Sequence, residues 1–330
     1  MKKHVLTAML LAAGLTLTGS LSFCASAQEE TELPETETAA EAGEEDDENY
    51  DTGDASLDDP RNQDEIGEKE LLVVSFGTSF NDSRRLTIGA IEEKLQETFP
   101  EWSVRRAFTA QIIIDHIEKR DGIHMDNVTE ALERAVENGV RTLVVQPTHL
   151  MDGLEYHDLE AELAEYADVM DIYLGTNLLS SEEDKKAVAG IITEEMASYD
   201  DGETAIVFMG HGTEAESNGV YEEMQNILTE EGYENFYIGT VEAEPTLEDV
   251  ISALEEKEYK KVVLRPLMVV AGDHANNDMA AEDDPESWYS ILTDKGYEVT
   301  CVLEGLGQIP AVRDLYAAHA QETVEQALSE

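Results

Sequence analysis

The chain has 330 residues, of which 74 are Asp or Glu and 21 are Lys or Arg, so its formal net charge is −53. A surface of that sign repels nucleic acid and anionic lipid, which excludes both as main partners. Cys24 lies in the apolar N-terminal stretch, so the remaining Cys301 cannot form an internal disulfide or a cysteine-built metal site.

Residues 1–27 have the pattern of a secretory signal peptide. Lys2 and Lys3 precede a short apolar run over residues 5–17, and a small-residue cleavage site ends at Ala27. We therefore expect an exported protein that is periplasmic or otherwise extracytoplasmic. Residues 21–24 also resemble a lipobox, except that bulky Phe23 stands where a small residue is usual, so a lipid anchor at Cys24 stays open.

The composition changes over residues 28–68, where 18 acidic residues stand against the single Arg61. Mutual repulsion and scarce apolar residues are typical of a disordered linker. The sequence thus predicts a signal peptide over 1–27, a disordered acidic linker over 28–68, and a fold that begins at residue 69.

From residue 69 short apolar runs alternate with amphipathic stretches, which predicts an N-terminal α/β half over residues 69–200. The strands read as near-continuous apolar runs, as in parallel sheets buried on both faces. The predicted elements are a strand over 71–76, a helix over 83–97, a strand over 104–108, helices over 110–119 and 128–138, a strand over 142–146 and a helix over 154–166.

The C-terminal half, residues 201–330, repeats this order. Its predicted elements are strands over 204–209, 236–241, 261–264 and 299–303, helices over 220–231, 247–257 and 287–295, and a closing helix from residue 311. Alternating strands and helices predict an α/β fold of two similar Rossmann-like halves, with parallel sheets facing a central cleft.

Two landmarks recur at matching strand ends and suggest an ancient duplication. The first strand of each half runs into a Gly-Thr turn, at Gly77 and at Gly212. The third strand ends in a proline followed six residues later by glycine, at Pro147 and at Pro266. Because parallel α/β sheets bind ligands beyond the carboxyl ends of their strands, these four loops should line the cleft.

Four histidines fall at or just past these strand ends: His149, His157, His211 and His274. His211 stands between two glycines directly after a predicted buried strand, where a flat ligand could approach the backbone closely. Neither GxGxxG nor GxxxxGK[ST] occurs, so phosphate binding has no support. Asp273 precedes His274 and could orient its ring.

Glu155 opens a helix in the other half, where a helix-capping role is the alternative. Two imidazoles and a carboxylate that converge from different loops suit a divalent first-row metal. The residues alone leave Co2+, Fe2+, Ni2+ and Zn2+ open.

At these positions the sequence resembles the CbiK-type anaerobic sirohydrochlorin cobaltochelatases, of the class II chelatase group that includes ferrochelatase. The resemblance runs from about Leu71 to the final helix. It is carried by residues 72–79, 106–109, 120–123, 208–212, 270–279 and 287–288.

The resemblance implies ATP-independent insertion of Co2+ into sirohydrochlorin with release of two protons, a lyase reaction of cobalamin biosynthesis. Family metal and catalytic positions fall on His211, His274 and Glu155, with His149 as a secondary metal candidate. Cobalt is then the substrate metal, and no organic cofactor is expected. Positive charge for the carboxylates of the tetrapyrrole could come from one or two of five arginines near strand ends or the first loop: Arg84, Arg85, Arg105, Arg106 and Arg265.

Export favours an alternative, an extracytoplasmic haem or metal carrier on a chelatase fold. A chelatase for Fe2+ or Ni2+ is a second alternative, because metal choice depends on geometry and availability. Whether the chain assembles into a homo-oligomer is left open by the sequence.

Overall fold

A computed structural model describes residues 52–329. The predicted signal peptide and residues 28–51 of the predicted linker lie outside the described residues. Within residues 52–329, no helix has the length and apolar character needed to cross a membrane.

Among residues 52–329, eight parallel strands form two four-stranded sheets, one in each half of the chain. The N-terminal half contains, in chain order, β1 (Lys69–Ser75), α1 (Asn81–Arg84), a π-helical turn (Arg85–Gly89), α2 (Ala90–Thr98), β2 (Ser103–Phe108), α3 (Gln111–Asp121), α4 (Val128–Asn138), β3 (Thr142–Pro147), α5 (Leu154–Ala164), β4 (Asp171–Leu174) and α6 (Glu182–Glu195). The C-terminal half contains β5 (Thr204–Gly210), a 3-10 turn (Glu216–Gly219), α7 (Val220–Glu230), β6 (Phe236–Thr240), α8 (Leu247–Glu255), β7 (Lys261–Pro266), a π-helical turn (Ala275–Met279), α9 (Trp288–Asp294), β8 (Glu298–Cys301) and α10 (Pro310–Ser329).

The strand order is β2-β1-β3-β4 in one sheet and β6-β5-β7-β8 in the other. The two halves therefore share one topology, as the repeated landmarks predicted. Since all strands are parallel, the loops after β5, β6 and β7 leave the second sheet at the same edge.

Local sequence signals account for the helix limits. Asn127 caps α4 through a capping box with Glu130, and Gly139 ends the helix in the left-handed conformation with φ 76°. The predicted limits of this helix, 128–138, agree with the structure.

Two elements of the first half are absent from the prediction. β4 is a four-residue edge strand whose residues are only partly buried, so its apolar pattern is weak. The helix α6 begins at a capping box between Ser181 and Asp184, which is a readable start signal.

The two halves exchange a helix at their interface. The helix α6 packs on α7, and the final helix α10 packs on α2, β3 and β4 of the first half. Tyr316 of α10 is fully buried and donates a hydrogen bond to the backbone carbonyl of Thr148 at 2.7 Å. A core shared by both sheets joins the halves, as shown by the buried contacts that link Val73, Phe208 and Val312 in one cluster.

Residues 52–68 differ from the prediction of a disordered linker. They lie against the N-terminal half, and the side chain of Asp58 is only 2% exposed where it meets Arg84 and Arg106. Composition could not reveal this, because the partners of Asp58 lie 26 and 48 residues further along the chain.

Candidate functional site

The loop that carries His211 depends on its two glycines. A side chain at Gly210 would overlap the ring of Tyr221, and Gly212 has φ +90°, which other residues rarely adopt. A Cβ on Gly212 would also lie 2.7 Å from the backbone nitrogen of Ala243. The glycines therefore allow the loop after β5 to lie directly against the loop after β6.

His274 reaches the same place from the loop after β7. It immediately precedes the π-helical turn Ala275–Met279. π-helical turns are rare and frequently occur at functional sites. Here the turn places Asp278 so that its Oδ2 lies 2.7 Å from Nδ1 of His274.

The two histidines and Glu242 form a cluster that fits one cation. The ring centroids of His211 and His274 lie 4.6 Å apart, with the ring planes at 85°. Oε2 of Glu242 lies 3.6 Å from Nδ1 of His211. One potential ligand atom from each of the three residues lies within 4.8 Å of the others. Two imidazoles and one carboxylate are a donor set suited to divalent first-row metals.

Hydrogen bonds fix which ring nitrogen of each histidine is available. Nδ1 of His211 lies 2.8 Å from the carbonyl oxygen of Gly212, and a carbonyl only accepts, so Nδ1 carries the proton. Nδ1 of His274 donates to the carboxylate of Asp278 in the same way. Both neutral rings therefore keep the Nε2 lone pair for a metal ion.

The acid–base behaviour of His274 follows from its neighbours. The hydrogen bond that His274 donates to Asp278 raises the pKa of His274; burial opposes this rise, and the charges of Asp278, Glu242 and Asp273 add to it. The imidazole is thus a better proton acceptor than an ordinary histidine. Protons and a metal ion compete for its Nε2.

The orienting partner of His274 was predicted to be Asp273, and the structure corrects this. The Oδ1 of Asp273 accepts a hydrogen bond from the side chain of Asn277 at 2.7 Å. Asp278, one helical turn after His274, makes the contact instead, because the π-helical turn brings the two side chains to one side.

Glu155 does not join His211 and His274 in a metal-sized group. It is exposed at the start of α5, and Glu242 takes the third position of the cluster. A Cβ added to Gly153 would lie 3.4 Å from Oε2 of Glu155 and 3.9 Å from Oγ of Ser217, which belongs to the second half. Glu155 therefore stands where the loops after β3 and β5 meet.

Glu242 was missed by the sequence reasoning. It follows β6 by two residues, and β6 neighbours β5 in the sheet, so its strand-end position was a usable signal. In a chain with 74 acidic residues, however, one more carboxylate gives no compositional signal.

His149 lies in the loop after β3, outside the cluster. Both of its ring nitrogens are buried and have no hydrogen-bond partner among the described residues. Burial lowers the pKa of His149, and the nearby charge of Glu155 opposes this only in part. The ring is therefore neutral at neutral pH.

One or two of five arginines were predicted to supply positive charge to the tetrapyrrole. Arg84, Arg105, Arg106 and Arg265 are buried and face carboxylates of the protein, whereas Arg85 is partly exposed and pairs with Asp82 at 3.0 Å. Buried guanidinium groups need such partners, which strand-end position alone could not reveal.

The remaining histidines have structural surroundings. His157 is exposed beside Glu160 and Asp152. His124 lies near Asp126 and Glu130, but Arg134 already occupies both oxygens of Asp126. His319 is buried and contacts Asp184 at 2.9 Å.

Comparison with known proteins identifies the family of the chain. The family model described as cobalt chelatase (CbiK) matches residues 69–325. The sirohydrochlorin cobaltochelatase of Salmonella typhimurium is 35% identical over 263 residues, which cover 79% of this chain and 98% of that protein. The sirohydrochlorin cobaltochelatase CbiKC of Nitratidesulfovibrio vulgaris is 29% identical over 259 residues, 78% of this chain and 90% of that protein.

Solved structures confirm the fold. SirB from Bacillus subtilis with Fe3+ superposes with a TM-score of 0.55 at 14% identity, over 80% of this chain and 98% of that one. The sirohydrochlorin chelatase SirB from Bacillus subtilis subspecies spizizenii in complex with cobalt gives a TM-score of 0.52, with the same identity and coverage. The predicted chelatase-like arrangement of two α/β halves is thus confirmed. Since the family model spans nearly the whole described fold, the chain belongs to the cobalt chelatase (CbiK) family.

Proposed function

We propose that this protein inserts Co2+ into sirohydrochlorin without ATP. The observation that carries the proposal is the pair of imidazoles, His211 and His274, each with Nδ1 bonded to an acceptor and Nε2 left for a metal. The names of the two relatives, both sirohydrochlorin cobaltochelatases, support the choice of substrates.

The reaction exchanges protons for a metal ion and involves no oxidation. Two pyrrole N–H bonds break, two protons leave, and the freed nitrogen lone pairs bind the cobalt ion. The cluster of His211, Glu242 and His274 holds Co2+ at the strand ends before transfer. As the metal leaves for the macrocycle, the Nε2 atoms regain free lone pairs, and His274 is well suited to accept a proton because its pKa is raised by the hydrogen bond that it donates to Asp278.

Glu155 has a separate role in this proposal. Because it is exposed and lies outside the cluster, we assign it to relaying protons rather than to holding the metal. His149 lies close to Glu155, but burial disfavours the charged form of its ring, so we assign it no proton-accepting step.

The first test mixes the purified protein, without residues 1–27, with sirohydrochlorin and Co2+ and follows the absorbance change of the macrocycle. We expect repeated turnovers, and we expect His211→Ala to lose them because one metal-holding imidazole is gone. His124→Ala is the matched control, since His124 lies with Glu118, Asp126 and Glu130 instead.

Three other outcomes would change the assignment. Stoichiometric binding without turnover would favour the haem or metal carrier. Faster insertion of Fe2+ or Ni2+ than of Co2+ would make this a chelatase for that metal. Full turnover by His211→Ala would show that metal insertion does not take place at this cluster.

We further propose that the protein acts outside the cytoplasm. The support is the basic start, apolar run and small-residue site within residues 1–27. Cell fractionation of the tagged chain should find it in the extracytoplasmic fraction, and replacing Leu10 and Leu11 with arginine should retain it in the cytoplasm. A Cys24→Ala variant that stays membrane-bound would argue against a lipid anchor at that residue.

A further inference from the structure

Residues 52–68, here called the strap, lie along one side of the N-terminal half. The strap precedes residues 69–325, which match the cobalt chelatase family, so it is outside that match. Four hydrogen bonds join it to several elements of that half. The strap accepts two of them, from Asp82 N to Thr52 O at 2.8 Å and from Arg106 N to Arg61 O at 3.2 Å. It donates the other two, from Asn62 Nδ2 to His124 O at 3.0 Å and from Glu65 N to Asn138 Oδ1 at 2.7 Å.

The strap places one carboxylate inside the fold. Oδ2 of Asp58 lies 2.6 Å from Nε of Arg84 and 2.7 Å from Nη1 of Arg106, and its Oδ1 lies 3.1 Å from Nη2 of Arg106. All three side chains are at most 2% exposed. Charge-assisted hydrogen bonds in such surroundings are strong, and the loss of one partner leaves a buried charge uncompensated.

The strap supplies the carboxylate that faces Arg84. Arg106 also binds Glu92 through two contacts of 2.7 Å, and Arg61 of the strap lies 3.2 Å from the same carboxylate. Without Asp58, Arg106 would keep Glu92, whereas the remaining hydrogen bonds of Arg84 would go to uncharged oxygens of Thr78, Ser79 and Asn81. The strap is therefore an integral part of the electrostatics of this half.

Arg84 connects this buried group of charges to the loop after β1. Its Nη1 donates to the backbone carbonyl of Thr78 at 3.0 Å. Thr78 in turn packs against Gly272, where an added Cβ would lie 2.9 Å from Oγ1 of Thr78. Nearby, the backbone nitrogen of Ala271 donates to Oγ of Ser83 at 3.0 Å.

Gly272 and Ala271 belong to the loop after β7, and Gly272 stands two residues before His274. A continuous series of contacts thus runs from Asp58 through Arg84 and Thr78 to the loop that presents a metal-holding imidazole. We propose that the strap positions this loop, with Asp58 as a positioning residue for the His211–Glu242–His274 cluster. This inference rests on the proposed role of that cluster in holding the substrate metal.

The test uses the full chain without residues 1–27 and three variants. Asp58→Asn keeps the shape of the side chain but removes its charge. Arg84→Met keeps Asp58 paired with Arg106 and removes the donor to Thr78. Glu65→Gln is the control, since it removes a strap charge whose side chain is exposed.

Two measurements are made on each variant. Trypsin cleavage after Arg61 reports release of the strap, and Asp58→Asn should speed it roughly tenfold or more, because local opening sets the population that the protease can cut. Titration with Co2+ alone measures the metal affinity of the His211–Glu242–His274 cluster. Both Asp58→Asn and Arg84→Met should weaken Co2+ binding about two- to thirtyfold. Glu65→Gln should change neither.

Each result decides one part of the inference. Unchanged cleavage in Asp58→Asn would show that Asp58 does not hold the strap. Faster cleavage with unchanged Co2+ affinity would limit the strap to stability and overturn its positioning role. If Asp58→Asn does not fold, Arg84→Met carries the test, and an unchanged Co2+ affinity there overturns the proposal. Co2+ binding needs no turnover, so this outcome is separate from that of the insertion assay.

Discussion

At the scale of single residues, the identity of the third metal-holding group distinguishes the structure from the sequence-based expectation. Glu242 stands within 4.8 Å of atoms from both histidines, whereas Glu155 lies in the other half and outside that group. In the proposed reaction the two carboxylates therefore have different tasks, one at the metal and one in proton transfer. Substitution of each by its uncharged amide separates these tasks.

We expect Glu242→Gln to weaken Co2+ binding by about tenfold or more, since even partners outside the ligand set cost about that much. Glu155→Gln should leave Co2+ affinity unchanged and slow turnover. Calorimetric titration with Co2+ and the insertion assay measure the two effects. The reverse pattern would restore Glu155 as the third ligand, as the sequence first suggested.

The hydrogen bond between Asp278 and His274 predicts a pH dependence for metal binding. The pKa of His274 is raised chiefly by this bond, so on acidification the ring becomes protonated, and loses Co2+, at a higher pH than an ordinary histidine with pKa about 6.5. Asp278→Asn removes the main cause of the rise. The acid midpoint of Co2+ binding should therefore move to lower pH, while affinity at alkaline pH falls because the ring loses its orienting partner.

Titration of Co2+ affinity between about pH 5 and pH 9 tests this expectation, in the range where histidine titrates. Asp273→Asn is the control, because Asp273 bonds to Asn277 and contributes only a lesser charge effect on His274. A midpoint that stays in place for Asp278→Asn, or moves equally for both variants, would contradict the assignment.

At the scale of elements, the sequence predicted most strands and helices because their signals are local. The strand β5 is an unbroken buried run, and α4 carries both a capping box and a terminal glycine. The helix α6 was missed although its capping box is a local signal, whereas β4 and the ordered residues 52–68 have weaker or longer-range causes. The edge strand β4 lacks a buried face of its own, and residues 52–68 are ordered by arginines distant in sequence.

The same distinction applies to the site. His211 and His274 were predicted because a glycine-flanked histidine and a polar strand-end loop are recognisable in one stretch of sequence. Glu242 and Asp278 were not, because their roles depend on how a neighbouring strand and a π-helical turn place them. The burial of Arg84, Arg105 and Arg106 against carboxylates could not be predicted for a related reason, since ion pairs inside the protein are set by tertiary packing.

At the scale of the whole molecule, the cleft depends on how firmly the two halves are joined. The chain reaches its C-terminal half and then returns, so that α10 covers the sheet of the first half. The hydroxyl of Tyr316 is buried there and bonds to the carbonyl of Thr148, the residue before His149. The final helix thus bonds to the loop that carries His149 and leads into α5, where Glu155 lies.

We expect Tyr316→Phe to lower the free energy of unfolding by about 1–3 kcal/mol, because it leaves the buried carbonyl of Thr148 without this donor. Urea unfolding followed by circular dichroism measures the change, and Tyr199→Phe is the control because Tyr199 is 38% exposed. If α10 holds the two halves together, both halves of Tyr316→Phe should unfold in one transition, at a lower urea concentration than in the unmodified protein. Equal stability of the two variants would show that the hydroxyl adds nothing to the packing of α10, and that the apolar contacts of the helix alone join the halves.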